Sequence, residues 1–284
     1  MAIIIATKFI DTKEINMTVY FLGGGNMATA IIAGMKKHGG FDIVVIGRNA
    51  QKQQYLSETY GIKTQSALPV LSAEDVLILA VKPQDMFQAL ANIADNGALI
   101  LSVAAGLDIH TLSSWLNGTK RIIRIMPNTP CQIGLGMSGL FAHPSVSQQD
   151  KEFAATLMQT TGEVIWLHDE AGINRIGAIS GSGPAYVFYF MQALQAAAQQ
   201  QGFNQEEAYK LTLSTFKGAV ALAEQSGLPV TQLRTNVTSK GGTTLAATSV
   251  FDEHHLMNTI SEGISASVQR AEAIQNELKS ESTK

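Results

Sequence analysis

Two kinds of apolar spacing divide this chain. From Thr18 to about His168, short runs of β-branched and aliphatic residues alternate with stretches whose apolar positions recur every three or four residues. The runs Val19–Leu22, Ile43–Ile46, Val76–Val81, Leu99–Val103, Arg121–Met126 and Val164–Leu167 read as strands. Between them, Ala30–Lys37 and Gln51–Tyr60 read as helices, each stopped by a glycine, Gly39 or Gly61. Strand and helix in alternation predict an α/β fold, an open, doubly wound, mainly parallel sheet of the Rossmann type.

After Asp169 the strand-like runs give way to long, alanine-rich amphipathic stretches. Pro184–Gln201 places Val187, Met191, Leu194 and Ala198 on one face and ends at Gly202. Asn204 followed by Glu207 reads as the capping box of the next helix, and Leu256–Leu278 as a last long one. Several of these segments are apolar over more than one face. Burial between subunits accounts for that, and so does ordinary core packing. The chain therefore divides into an extension, residues 1–16, with no assigned role; a Rossmann-type domain, 17–168; and an all-helical domain, 169–284. Met17 is itself a candidate start. No internal repeat is present, and the polar tail 279–284 is the one biased tract.

Composition narrows the function classes. With 284 residues, 45% hydrophobic and 15% charged, the chain has ample material for a core and does not read as disordered. A net charge of -3 provides no basic excess for a phosphate backbone, so no nucleic-acid partner is expected. One cysteine, Cys131, excludes an intrachain disulfide framework and fits a reducing, cytoplasmic setting. Ile3–Ile5 falls far short of the ~20 apolar residues of a membrane span, and no cleavage pattern follows it, so no membrane partner is expected.

Two glycine-rich turns carry the chemistry. Gly23-x-Gly25-x-x-Ala28 follows a strand and opens a helix, the setting in which this pattern marks a dinucleotide site. The first glycine permits the tight turn, the second lets a pyrophosphate approach the backbone, and the small third residue allows close helix packing. Dinucleotide-binding sequences that select NAD usually carry an acid at the end of the second strand. This chain has Gly47-Arg48-Asn49 there, and an arginine can pair with a 2′-phosphate. NADPH is therefore expected ahead of NADH, the alternative being that Arg48 is a solvated loop charge. Val81-Lys82-Pro83-Gln84 and Ala104-Ala105-Gly106 follow later strands, at the sheet edge where ligands of such folds bind, and are expected to line the nicotinamide half of the pocket. Lys82 is open to two readings, a catalytic acid or a loop residue meeting backbone carbonyls. Met126-Pro127-Asn128-Thr129-Pro130 reads as a rigid turn at the same edge. Cys131 follows that turn, as a reactive thiol or a small buried filler.

No metal site is expected, because His254 and His255 are adjacent and Cys131 has no partner. Gly181-Ser182-Gly183 lacks the strand, helix and histidine order of a nucleophile elbow. The second glycine turn, Ser239-Lys240-Gly241-Gly242-Thr243-Thr244, opens another helical stretch and suits a small anion.

Taken in order, Gly23–Ala28, Ala80–Gln84, Ser102–Gly106, Met126–Pro130, Ser180–Tyr186 and Thr238–Thr244 resemble the pyrroline-5-carboxylate reductase family, from Met17 almost to the C-terminus. The resemblance implies NAD(P)H-dependent reduction of the cyclic imine 1-pyrroline-5-carboxylate to L-proline, the last step of proline biosynthesis. It further implies a homodimer with interlocking C-terminal helices, and beyond it a higher oligomer such as a decamer. By the same resemblance the cofactor contacts Gly23, Gly25, Asn26, Met27, Ala28, Arg48, Asn49, Ala80, Val81, Lys82, Pro83, Ala104, Ala105, Gly106 and Asn236. The substrate would lie on Ser239, Gly241, Gly242, Thr243 and Thr244, with the Thr244 hydroxyl on the ring nitrogen as the catalytic group. Lys240 departs from the family, whose members mostly have proline there; the loop is then less rigid, or the lysine adds charge near the substrate carboxylate.

The chemistry is modest in its demands. A protonated cyclic imine is already an electrophile, so hydride transfer needs chiefly placement, with donor and acceptor carbons roughly 3–3.5 Å apart. Two alternatives share parts of the pattern. A related imine or β-hydroxyacid reductase has the same two-domain plan, but the lysine it would use is missing, since Lys217 is followed four residues later by Ala221. A non-catalytic NADPH sensor would need no second anion site.

Overall fold

The computed structural model describes residues 17–91, 93 and 97–281; the extension at residues 1–16 lies outside them. Two compact units divide the described chain. One takes in the residues up to Ser182 together with those from Ser267 on, and the other is Gly183–Ala266. The division thus falls later than the change of composition at 168/169, and the end of the last helix belongs with the sheet.

The first unit is built on eight strands: β1 Thr18–Leu22, β2 Asp42–Ile46, β3 Lys63–Gln65, β4 Val76–Leu79, β5 Leu99–Ser102, β6 Ile122–Met126, β7 Gly136–Ala142 and β8 Gly162–Trp166. Their order is β3-β2-β1-β4-β5-β6-β7-β8. All neighbours are parallel except β6 and β7, where Ile125 lies opposite Leu140. Among the described residues, six α-helices lie wholly within this unit: α1 Asn26–His38, α2 Ala50–Tyr60, α3 Pro83–Leu90, α4 Ile109–Trp115, α5 Gln148–Gln159 and α6 Gly172–Ile176.

The apolar runs are continuous because both sheet faces are covered. Val19, Phe21, Val45, Ile78, Leu101 and Ile123 join one core with Ile31, Ile32 and Met35 of α1 and Phe153 and Leu157 of α5. Val44, Ile46, Leu77, Leu79, Ile100 and Ile122 join a second with Met86 and Leu90 of α3 and Leu112 of α4. Several boundaries differ from the sequence reading. The strand read as Val76–Val81 ends at Leu79, since the next residues turn into α3, and the helix read from Ala30 begins at Asn26. Strands β3 and β7 carry no continuous apolar run and were not foreseen.

The second unit is helical: α7 Gly183–Gln200, α8 Gln205–Ser226, α9 Val230–Asn236, α10 Thr243–Glu253 and the first part of α11, Leu256–Glu281. A π-turn, Gly177–Gly181, precedes α7 and closes with Ser182 N donating to Gly177 O at 2.8 Å. The capping box of α8 is formed reciprocally: Glu207 N donates to Asn204 Oδ1 at 3.0 Å, and Asn204 N donates to Glu207 Oε2 at 2.9 Å. Among the described residues of this unit only Ala208 and Thr212 are buried.

Candidate active site

The strand order reverses between β1 and β4, and open α/β sheets bind their ligands beyond the carboxyl ends of the strands at such a point. A groove of about 810 Å³ lies there, within the range of cofactor sites. The turn after β1 forms its floor. Gly23 N donates to Ile46 O at 2.9 Å, and a Cβ on Gly23 would stand 2.8 Å from Ala80 O, at a φ of 103° that side-chain-bearing residues rarely adopt. Gly25 is the opposite case, because a Cβ there would meet nothing within 4 Å. Its backbone faces open space at the start of α1, and neither a side-chain cap nor an acidic residue occupies the first turn. Free amides and the helix dipole make that end receptive to a pyrophosphate. Ala28 is wholly buried, which lets α1 seat closely on the sheet.

The far end of the groove carries positive charge. Arg48, Asn49 and Lys52 line it, beside Ser66, Ala67 and Leu68 from the loop after β3. Asn49 Oδ1 caps α2 by accepting from Lys52 N at 2.9 Å, and Gln53 Nε2 holds the turn by donating to Gly47 O at 2.8 Å and Gln65 O at 2.7 Å. Lys52, Gln53 and Ser66–Leu68 were missed by the sequence reading. A glutamine in the first turn of a helix and a three-residue strand give no pattern to find them by.

Of the cofactor residues expected from sequence, Gly23, Gly25, Asn26, Arg48, Asn49 and Val81 line this one groove. Met27 and Ala80 pack against the core instead, Lys82 is exposed as the N-cap of α3, and Pro83 is that helix's first residue. Ala104 is buried, Ala105 exposed, and Gly106 lies under Ile274 and Leu278 of α11. The Met126–Pro130 turn is fixed by Asn128, whose Nδ2 donates to Ser180 O at 3.1 Å while its Oδ1 accepts from Met137 N at 2.9 Å. Cys131 is buried.

Two buried charged groups, one on β6 and one at the end of the loop after β5, interact electrostatically. Arg124 is almost completely buried on β6; desolvation lowers the pKa of its guanidinium, against the pull of Glu170, whose Oε1 accepts from Arg124 Nη1 at 3.0 Å. Burial would raise the carboxyl of Asp108, but hydrogen bonds from Lys279 and Thr111 outweigh it and hold the pKa at about 2.

In the helical unit, Ser239–Thr244 leads into α10. Gly242 N donates to Ser239 O at 3.0 Å, closing the turn, and Gly241 beside it has a φ of 73°, which side-chain-bearing residues rarely adopt. No side chain caps α10, its first turn holds no acid, and Thr243 and Thr244 are exposed. This is a second anion-receptive helix start. Asn236 ends α9, with its Oδ1 accepting from Gln232 Nε2 at 2.8 Å. Among the described residues no cluster of three or more His, Cys, Asp or Glu is arranged to hold a metal, and no helix is long and apolar enough to cross a membrane.

A parallel sheet with a glycine-floored groove at its switch point, followed by a helical region, defines a Rossmann-type oxidoreductase that uses a dinucleotide. Residues 18–106 match the family described as NADP oxidoreductase coenzyme F420-dependent, and residues 170–274 match pyrroline-5-carboxylate reductase dimerisation. The pyrroline-5-carboxylate reductase of Vibrio alginolyticus is 40% identical over 266 residues, covering 90% of this chain and 97% of the relative. The solved enzyme of Coxiella burnetii superposes with a TM-score of 0.84 at 36% identity, over 90% of this chain and 98% of its own. That of Plasmodium falciparum, solved with NADP bound, gives 0.78 at 26% identity, over 92% and 99%. The chain belongs to the pyrroline-5-carboxylate reductase family.

Proposed function

We propose that this protein reduces 1-pyrroline-5-carboxylate to L-proline, with NADPH preferred over NADH. The observation that carries the reading is that one chain holds two helix starts free of side-chain caps and acids, one at α1 on a dinucleotide-sized groove and one at α10. The amides at Gly25 and Asn26 receive the pyrophosphate, and Arg48 pairs with the 2′-phosphate, with Lys52 and Asn49 beside it. Gly242 and Thr243 amides receive the substrate carboxylate, and the Thr244 hydroxyl accepts from the protonated ring nitrogen, fixing the plane of the imine. The reduced nicotinamide, when bound, supplies the hydride that adds to the imine carbon as the C=N π pair passes to nitrogen. Threonine is too weak an acid to protonate anything unaided, so the proton is carried in on the substrate. The residues supply placement and charge rather than acid–base chemistry.

The chain has a homo-oligomeric design, read here as a cytoplasmic homodimer with a decamer as its extension; the exposed apolar helices of Gly183–Ala266 and the lone buried Cys131 support this. The test is NADPH oxidation followed by nicotinamide absorbance with 1-pyrroline-5-carboxylate, in wild type and Thr244→Ala. Wild type should turn over, and the variant should lose roughly 10–100-fold in kcat/KM for the imine while its KM for NADPH is retained. A folded wild type that binds NADPH yet oxidises none with this substrate would overturn the assignment.

A further inference from the structure

The loop after β5 runs from Val103 to Leu107: Val103, Ala104 and Leu107 pack into the sheet cores, whereas Ala105 and Gly106 carry no side chain long enough to fix the crest of the loop. The crest is held by partners distant in sequence. Asp108 ends the loop and caps α4, its Oδ1 accepting from Thr111 N at 2.8 Å. The other carboxylate oxygen, Oδ2, accepts from Lys279 Nζ at 2.6 Å and from Gln275 Nε2 at 3.2 Å, both on α11. Gln275 is itself oriented, because its Oε1 accepts from Asn174 Nδ2 at 3.0 Å. One turn of the same helix closes on the loop's glycine: a Cβ on Gly106, at φ 77°, would stand 2.9 Å from Leu278 Cδ1 and 3.2 Å from Ile274 Cγ2. The last turns of α11 thus hold the loop by one ion pair, one hydrogen bond from a side-chain amide and the packing of two apolar side chains.

We propose that Lys279 and Gln275, acting through Asp108, are positioning residues for the nicotinamide half of the cofactor. This rests on the reading of Ala104–Gly106 as a cofactor loop. A loop held in one place presents its backbone to the ring without an ordering cost at binding, and freeing it transfers that cost to the cofactor. The adenosine end of the groove, at Arg48 and Lys52, draws nothing from this arrangement, so the two halves of the dinucleotide should respond differently.

The experiment measures dissociation constants without substrate, for NADPH by nicotinamide fluorescence and for 2′-phosphoadenosine diphosphoribose, which lacks the nicotinamide, by calorimetry. In Lys279→Met, NADPH should bind about tenfold more weakly, NADH should lose the same factor, and the nicotinamide-free probe should stay within about twofold. Lys279→Arg should restore NADPH binding, and Gln275→Ala should give a smaller loss of the same kind should the lysine variant fold poorly. Equal loss for NADPH and the probe, or no loss for either, would overturn the proposal. Because no turnover is involved, the result stands apart from the substrate assignment, which fails only if wild type binds NADPH and does not reduce the imine.

Discussion

In the sheet unit the apolar residues point inward, and in the helical unit most stand outside. Phe21, Ile31, Leu77, Leu99 and Ile123 are all but inaccessible, whereas Phe188 is 65%, Tyr189 72%, Val220 58% and Met257 71% exposed within the chain. The sequence is comparably apolar in both. What differs is who supplies the second layer: helices of the same unit cover both faces of the sheet, and nothing of comparable extent covers α7, α8 and α10 within their own unit. Burying even four or five such side chains contributes on the order of 10 kcal/mol. Such a unit draws its stability from association, in keeping with the match of residues 170–274 to a dimerisation family.

The largest effect should come from breaking this difference directly. Phe188→Asp, on α7, should shift the protein to monomers in sedimentation and lower kcat/KM by more than about 100-fold, as expected of a charge forced into an apolar interface. Val70→Asp, at a position 84% exposed in the sheet unit, should change neither assembly nor activity beyond about twofold. If both variants behave alike, the exposed helical residues are an ordinary surface. Next in size, Arg48→Ala should weaken NADPH by roughly 10–30-fold and leave NADH within about twofold, measured by fluorescence titration. Equal losses would mean that the arginine does not meet the 2′-phosphate.

The smallest effect is one of pH. The Asp108 carboxyl, ordinarily 3.8, stands at about 2 when folded, so its contribution is fully present above about pH 4 and lost as the pH falls toward 2. With half-exposed Lys279 as its partner, that contribution is roughly 1–2 kcal/mol. Chemical unfolding of wild type and Asp108→Asn should differ by this amount near neutral pH and converge near pH 2. A constant difference across the range would remove the carboxylate's charge from the account.

The fold was legible where one local signal decided it. Runs buried on both faces announced β1, β2, β4, β5 and β6, and Asn204 with Glu207 announced the start of α8. The Rossmann turn could be read because Gly23 and Gly25 answer to steric demands within a few residues. Legibility failed where position depends on distant partners. β7 mixes Gly136, Ser138 and Gly139 with apolar residues and is a strand only because β6 and β8 flank it. Ser66–Leu68 reach the groove only once β3 has paired with β2, and nothing near Asp108 in sequence announces Gln275 or Lys279.

The membership of Ser267 and later residues in the sheet unit has a consequence for synthesis. The last of the eight strands, ending at residue 166, leaves the ribosome about a hundred residues ahead of the turn of α11 that covers Gly106. At about 5–20 residues per second, the nascent sheet spends on the order of ten seconds without that cover. The loop after β5 is thus among the last parts of the sheet unit to be set, and a ribosome that stalls before α11 leaves that loop without the contacts that hold it.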